Sequence, residues 1–374
     1  MLNIDLEEEK SICKSAAGFY QGSWEGQFEH CTNGILENTF SLTISGFQGG
    51  HSAKYINDKN RLNSIIEGFN ILKNVGNYQH SSDFHIQLIS ASEKPLLDDD
   101  EDNWKINTNA IPNYLTVTFA TDLDEDTIEE IVDDYVEHNI KPKETKAKWE
   151  LSVFDFPKKP EINYVLSQVD TKELCNRICN LENGCGTDDE DFLEDGTPVW
   201  SKNISGIRIY DIRDDSRIEY SDNPCFVHID VMGRSCDIDN LGEKDPTKSD
   251  PSQWDGFAKY YYDWWEDSSD DTKNTYTKWT PNSYQLPWFH NNEELDNIIK
   301  GVGSQLGYTI KEFNEHSWLE LSALTVQSQH SSPNISISAI GPNVIEPHSC
   351  REMVETDSID SVIKILIKKF QKIK

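Results

Sequence analysis

Between residues 40 and 154 the chain switches between two hydrophobic periods in a fixed order, and that order admits few folds. Segments 40–45, 84–90, 114–120 and 148–154 are rich in β-branched or aromatic residues and read as strands. Between the first two, Leu62, Ile65, Ile66, Phe69 and Leu72 recur at helical spacing. After the third, a run from about residue 126 to 138 puts Ile128, Ile131, Val132 and Tyr135 on one face. Its acidic residues lie at its start, where the helix dipole favours them. Strand, helix, strand, strand, helix, strand is the order of a ferredoxin-like (βαββαβ) sandwich, two helices on one face of a mainly antiparallel sheet.

At the corner between the first strand and the first helix stands Gly49-Gly50-His51-Ser52. Two adjacent glycines reach backbone conformations closed to other residues, and here they set one histidine at the tip. An imidazole so displayed can donate a hydrogen bond or ligate a metal. A turn histidine without chemistry is the plainer alternative, and both stay open on these residues alone.

Composition limits the partners. The formal net charge is −32 over 374 residues, which argues against nucleic acid or an anionic membrane surface, since phosphate binding needs basic clusters. Ten Trp, 14 Tyr and 15 Phe point to a folded protein in spite of that charge. The acidic runs at 98–102 and 188–191 lack the alternating ligands and central Gly of an EF-hand and read as solvated loops. No apolar run reaches membrane-spanning length. The first ten residues have neither the basic start nor the apolar middle of an export signal. The eight cysteines contain no C-x-x-C pair and read as reduced thiols, so the expected location is the cytoplasm. Cys175 and Cys179, four apart on one helix, suit either a metal site or two packed thiols.

Beyond residue 156 a second module begins. Asp170-Thr171-Lys172-Glu173 has capping-box spacing before a helix carrying Leu174, Ile178 and Leu181, with Asn183-Gly184 as its stop. Strands are expected at 204–214 and 225–231. Residues 237–285 read as irregular, with aromatics at Tyr260, Tyr261, Tyr262, Trp264 and Trp265 that suit a partner surface or a cover for the neighbouring sheet. The last section reads as a helix (Leu295, Ile298, Ile299, Val302, Leu306), a short strand at 335–340 and a helix from about 357 (Ile359, Val362, Ile363, Leu366, Phe370). Two apolar helix faces against one short strand leave most of the sheet they need unaccounted for.

Several segments, in order, resemble zinc dipeptidases of the aminoacyl-histidine (Xaa-His) type, from the superfamily of carnosinases, aminoacylase and carboxypeptidase G. Leu2-Asn3-Ile4-Asp5-Leu6-Glu7-Glu8 is similar to that family's Asn-x-Asp-x-Glu-Glu segment. Gly49-Gly50-His51-Ser52 with Arg61 and Asn63, Asn109-Ala110-Ile111-Pro112, Gly233-Arg234-Ser235 and the 276–281 segment match further stretches. So do His316, Leu319 and Glu320, and the loop Gly341-Pro342 to Pro347-His348-Ser349 and Glu352. The set covers nearly the whole chain.

The resemblance implies a mixed α/β and α+β protein, with an enlarged ferredoxin-like lid or dimerisation domain inserted in the remnant of an α/β zinc-peptidase catalytic domain. Residues 1–36 would be the edge of the catalytic domain. Residues 37–285 would form the lid in two modules, 37–155 and 156–285, and 286–374 would return to the catalytic part. Zinc would be held by Asp5 and His348. His51 would donate to the developing oxyanion, commonly in a partner subunit's site, and Asn109, Arg234 and Glu320 would bind substrate. A dipeptide would be the small-molecule partner, with a homodimer through the lid or another polypeptide completing the catalytic half. The family's upstream segment, with its His-x-Asp motif and Glu-Glu pair, has no counterpart here, so the chain alone is expected to be catalytically incomplete. The alternative is a non-catalytic truncated homologue acting through its lid and helices. His228-Ile229-Asp230 has the letters of the missing motif but reads as a strand alternating out and in. Ser317 and Trp318 stand where the family has small residues, and Ala53 where it has Gly.

Overall fold

The computed structural model describes residues 2–3, 9–28, 30–31, 38–78, 83–92, 108–153, 165–211, 225–243, 245–266, 277–289, 293–319, 322, 338–345 and 353–372. The strands that matter here are β1 (Ser11–Ala16), β2 (Gly18–Phe28), β3 (Asn38–Ser45), β4 (Phe84–Ser92), β5 (Tyr114–Thr121) and β6 (Lys148–Val153). With them go β7 (Trp200–Asp211), β8 (Cys225–Ser235), β9 (Thr277–Gln285) and β10 (Lys311–Glu315). The helices are α1 (Ser64–Gly76), α2 (Glu125–Tyr135), α3 (Gln168–Asn180), α4 (Gly256–Glu266), α5 (Glu293–Gln305) and α6 (Thr356–Lys372).

One mixed α/β body results, with several sheets. Among the described residues the largest has nine strands: β6-β3-β5-β4-β7-β8-β2-β9 in spatial order, with Gly184–Cys185 added beside β7. Every neighbouring pair along it is antiparallel. The βαββαβ stretch supplies one end, with its first strand between its fourth and third. The β4–β7 pairing then carries the sheet across the join between the two modules, Arg208 opposite Ser90. It also crosses the boundary expected at residue 36, because β2 is hydrogen-bonded on both sides, to β8 and β9.

Local chemistry sets the helices. Asn63 caps α1 by accepting the Ile65 N–H at 3.0 Å, and Ile65, Phe69, Leu72 and Val75 are buried against the sheet. Gly68 is the point of closest approach, where a Cβ would collide with Leu115. Asp124 caps α2. On α3 the cap is Ser167, one turn earlier than Asp170: its hydroxyl accepts the Asp170 N–H at 3.1 Å and donates to the Asp170 carboxylate at 2.8 Å. Cys175 is buried on this helix, and burial pushes the neighbouring Cys179 thiol up to about 11, as suits packed thiols.

The aromatic cluster expected in an irregular segment is the helix α4. Tyr261 is fully buried, its ring grouped with Tyr20 and Trp279 at 6.0 and 5.9 Å, and its hydroxyl donates to the Met232 carbonyl at 3.2 Å. These rings cover the β8–β2–β9 end of the sheet, so the covering alternative holds for Tyr261.

The missing floor beneath the last helices is a second sheet. β1 pairs in parallel with β10 and antiparallel with Trp288–Phe289. Ile12 on β1 shares a core with Leu295, Ile299 and Val302 of α5, Ile340, and Val362 and Ile365 of α6. β1 escaped notice because Ser-Ile-Cys-Lys-Ser-Ala packs mainly through small side chains. The α6 stripe is also turned from its expected setting: Ile365 is buried, whereas Ile359 and Ile363 are exposed. Among the described residues no helix is long and apolar enough to cross a membrane.

Candidate functional site

The Gly-Gly corner is built by charge and by positive φ. Gly49 and Gly50 sit at φ 58° and 104°, where a side chain is strained. Arg61 donates to the Gly49 carbonyl at 2.6 Å while its guanidinium lies 3.6 Å over the Tyr55 ring. Glu144 accepts the N–H groups of Gln48 and Leu62, at 3.1 and 3.0 Å, and so clasps both ends of the corner. Burial raises the Glu144 pKa, partly offset by the Leu62 and Gln48 donors.

From the corner the chain enters a short antiparallel ladder, Gly50 opposite Ile111 and His51 opposite Ala110. His51 is buried there. Ser52 follows, its N–H and hydroxyl both donating to the Asn109 carbonyl at 2.7 and 2.8 Å. Asn203 on β7 donates to the Ala110 carbonyl at 2.9 Å, and Asn63 donates to the Ile204 carbonyl at 2.8 Å, so β7 anchors both halves of the corner.

Arg234, near the end of β8, completes the group. Its Nη1 donates to Ser52 Oγ at 2.5 Å and its Nη2 to Asn109 Oδ1 at 2.9 Å, 182 and 125 residues away in sequence. The guanidinium is 3% exposed, and burial holds its pKa down at about 10. His51, Asn109 and Arg234 are therefore brought together, and within one chain although they come from two modules. Arg234 and Asn109, expected to bind substrate, are bonded to each other and to Ser52.

Behind Arg234 lies His316, 3% exposed, with Nε2 2.8 Å from the Ser201 hydroxyl. Burial, aided by the Arg234 charge, pushes its pKa down to about 3, so the ring is neutral at physiological pH. The Pro198 carbonyl opposes that shift without completing a hydrogen bond, and Nδ1 has no partner among the described residues. His316 borders a cavity of about 250 Å³ between the 53–57 turn, the 195–198 loop and the end of β10.

Asp5, His348 and Glu320 lie outside the described residues. Among the described residues no group of three or more His, Cys, Asp or Glu side chains fits a metal ion, so no chemical step through zinc is derived from this geometry. His228-Ile229-Asp230 is part of β8, with the two polar side chains bonded to each other at 3.0 Å. Trp318 meets Phe19 edge-on at 5.8 Å, and its indole N–H is buried without a partner among the described residues. Ser201, Asn203 and Glu144, which hold the site together, had no sequence signal of their own. Ser52, next to the histidine, lies in a motif.

No protein-family model matches the sequence, and no curated protein matches it. Solved structures do. The aminoacylhistidine dipeptidase of Vibrio alginolyticus superposes with a TM-score of 0.63 at 18% identity, over 98% of this chain and 64% of its own. A tripeptidase of Staphylococcus aureus gives a TM-score of 0.42 at 10% identity, over 98% of this chain and 55% of its own. Human carnosine dipeptidase 1 gives 0.39 at 11% identity, over 99% and 57%. The first likeness establishes that this chain has that dipeptidase's fold; the other two scores are too low to add to it. The chain spans 64% of the length of the Vibrio protein.

Proposed function

We propose that the chain belongs to a metal-dependent dipeptidase of Xaa-His type and supplies the side of its site that holds the substrate. The observation that carries this reading is the meeting of Ser52 (and with it His51), Asn109 and Arg234 in one hydrogen-bonded group, on a fold shared with an aminoacylhistidine dipeptidase. The βαββαβ unit with its strand order β6-β3-β5-β4 would be the ferredoxin-like half of a two-module lid. In this reading His51 donates to the oxyanion that forms at the scissile carbonyl, where a buried donor is worth most. Arg234 and Asn109 stiffen the wall behind it, and Glu320 borders the substrate.

The hydrolytic centre would take Asp5 and His348 as zinc ligands. Two donors do not make a dinuclear site, so further ligands must come from elsewhere, and the chain by itself is proposed not to turn over dipeptides. A partner polypeptide or a second copy docked through the lid would complete it. One observation favours the non-catalytic alternative: the Trp318 indole packs on Phe19 where the resembled family carries a small residue. The deciding experiment measures zinc content and hydrolysis of glycyl-histidine on the chain isolated with whatever co-purifies. Two zinc ions per chain with turnover support the enzyme and overturn the incomplete-chain reading. No zinc and no turnover in that complex leave the non-catalytic reading.

A further inference from the structure

We propose that the outward face of α6 is a self-association surface, on which a second copy of this chain lays its own α6 antiparallel. Neither the peptidase reading nor any pairing through the lid is needed for it.

α6 is apolar on two sides. Val362 and Ile365 turn inward and join the core with α5 and β1. Ile359, Ile363 and Ile367, each four residues from the next and so aligned along one face, are 37%, 46% and 55% exposed. The short ladder that leads into the helix, Val344–Ile345 against Met353–Val354, adds Met353 and Val354, 58% and 44% exposed. Six of the twelve exposed large apolar side chains among the described residues fall between 345 and 367, which is a patch rather than ordinary surface scatter.

Charge along the helix chooses the occupant. Its first turns carry Asp357 and Asp360, and residues 364–374 hold five lysines with no acidic side chain, in a chain of 66 acidic and 34 basic residues. Asp357, Asp360, Lys364 and Lys368 make no ion pair among the described residues, although Asp360 and Lys364 stand at a spacing that favours one. Ile363 is the midpoint of the apolar stripe. Placed on a two-fold axis it meets its own counterpart, and Ile359 meets the partner's Ile367. On the rim, Asp360 then comes beside the partner's Lys364 and Asp357 beside the partner's Lys368. Each contact is made twice, as an isologous interface requires. Parallel helices would instead set Asp360 against the partner's Asp360 and Lys364 against the partner's Lys364, which is repulsive. The pattern is self-complementary in the antiparallel direction.

Two chains of net charge −32 repel at a distance, but at about 0.15 M salt the Debye length is about 8 Å, so the local contact decides. A 17-residue helix is about 25 Å long and about 10 Å wide, a footprint below the ~800 Å² per partner of a standard interface. The dimer is therefore weak, with a dissociation constant of about 10–100 μM.

The test is sedimentation velocity on the full chain from about 2 to about 300 μM, in about 0.15 M sodium chloride. The wild type should pass from monomer to dimer across that range. Ile363→Asp, which puts two carboxylates on the axis, should raise the dissociation constant at least about tenfold, with the melting temperature at low concentration unchanged. Asp360→Lys and Lys364→Asp should each weaken self-association too. An equimolar mixture of those two variants should pair more tightly than either alone, since each rim then meets its opposite charge. A wild type that stays monomeric throughout, a dimer indifferent to Ile363→Asp, or a mixture no tighter than its components would each overturn the proposal. So would a different polypeptide that co-purifies on this face and is released by Ile363→Asp.

Discussion

At the scale of single residues, the site depends on groups whose value lies in what they hold. Glu144 is the clearest case: 1% exposed, it ties the N–H groups of Gln48 and Leu62 together, and no motif marks it, since its partners lie 96 and 82 residues away. Glu144→Ala leaves two donors without their acceptor and should destabilise the chain by roughly 1–3 kcal/mol in urea unfolding, while displacing the His51 ring signals in NMR spectra. His316 gives a pH signature. Its folded pKa, about 3, lies below the ordinary histidine value near ~6.5. Between those two values the unfolded chain takes up a proton that the folded one refuses, so this residue subtracts stability as pH falls and does nothing above the window. His316→Gln should therefore lose less stability than the wild type between pH 7.5 and pH 5, measured by denaturant midpoints at each pH. Of the site residues, the chemical types at 51, 109 and 234 were legible through the resemblance. Their bonding was not, because a guanidinium that meets Asn109 and Ser52 looks identical in sequence to one that meets a ligand.

At the scale of elements, periodic segments were legible and aperiodic ones were not. The helices α1, α2, α5 and α6 and the strands of the βαββαβ unit follow apolar spacing, and their order survives in the sheet. β2 and β9 escaped because neither shows an apolar alternation: β2 interleaves Gly18, Gly22 and Gly26 with aromatics, and β9 contains Pro281. Proline is tolerated there because β9 is an edge strand with a register shift at Pro281/Ser283. The pairing of β2 with β8 also creates a charge device. His228 Nδ1 lies 3.2 Å from the Glu25 carboxylate across the strands, and its Nε2 lies 3.0 Å from Asp230. Burial would lower the His228 pKa, but the Asp230 and Glu25 carboxylates outweigh it and raise it above the ordinary value. A raised folded pKa means that this contribution is fully present below the unfolded value near ~6.5 and is lost as pH rises through the folded one. Wild type should thus exceed His228→Gln in stability at pH 5.5, with the gap closing by about pH 9 when both are melted across that range.

At the scale of the whole molecule, a continuous sheet holds parts that the sequence separates, and it does so against a large self-repulsion. Ser52 and Arg234 meet because β7 runs beside both β4 and β8, and that long-range pairing has no local sequence mark. The charge, in contrast, is wholly legible: 66 acidic against 34 basic residues give −32. Two electrostatic effects then compete as salt is added. Exposed ion pairs such as Lys259–Asp263 at 2.7 Å weaken on screening, but each is worth little. Repulsion among the unpaired carboxylates acts over longer distances, and it is relieved as the Debye length falls from about 30 Å at 0.01 M to about 8 Å at 0.15 M. With nearly two acidic groups for each basic one, repulsion dominates, and the melting temperature should rise by a few degrees between 10 and 150 mM sodium chloride. A melting temperature that fell over the same range would mean that local pairs outweigh the net charge. The acidic surface would then be arranged with far more internal compensation than its composition implies.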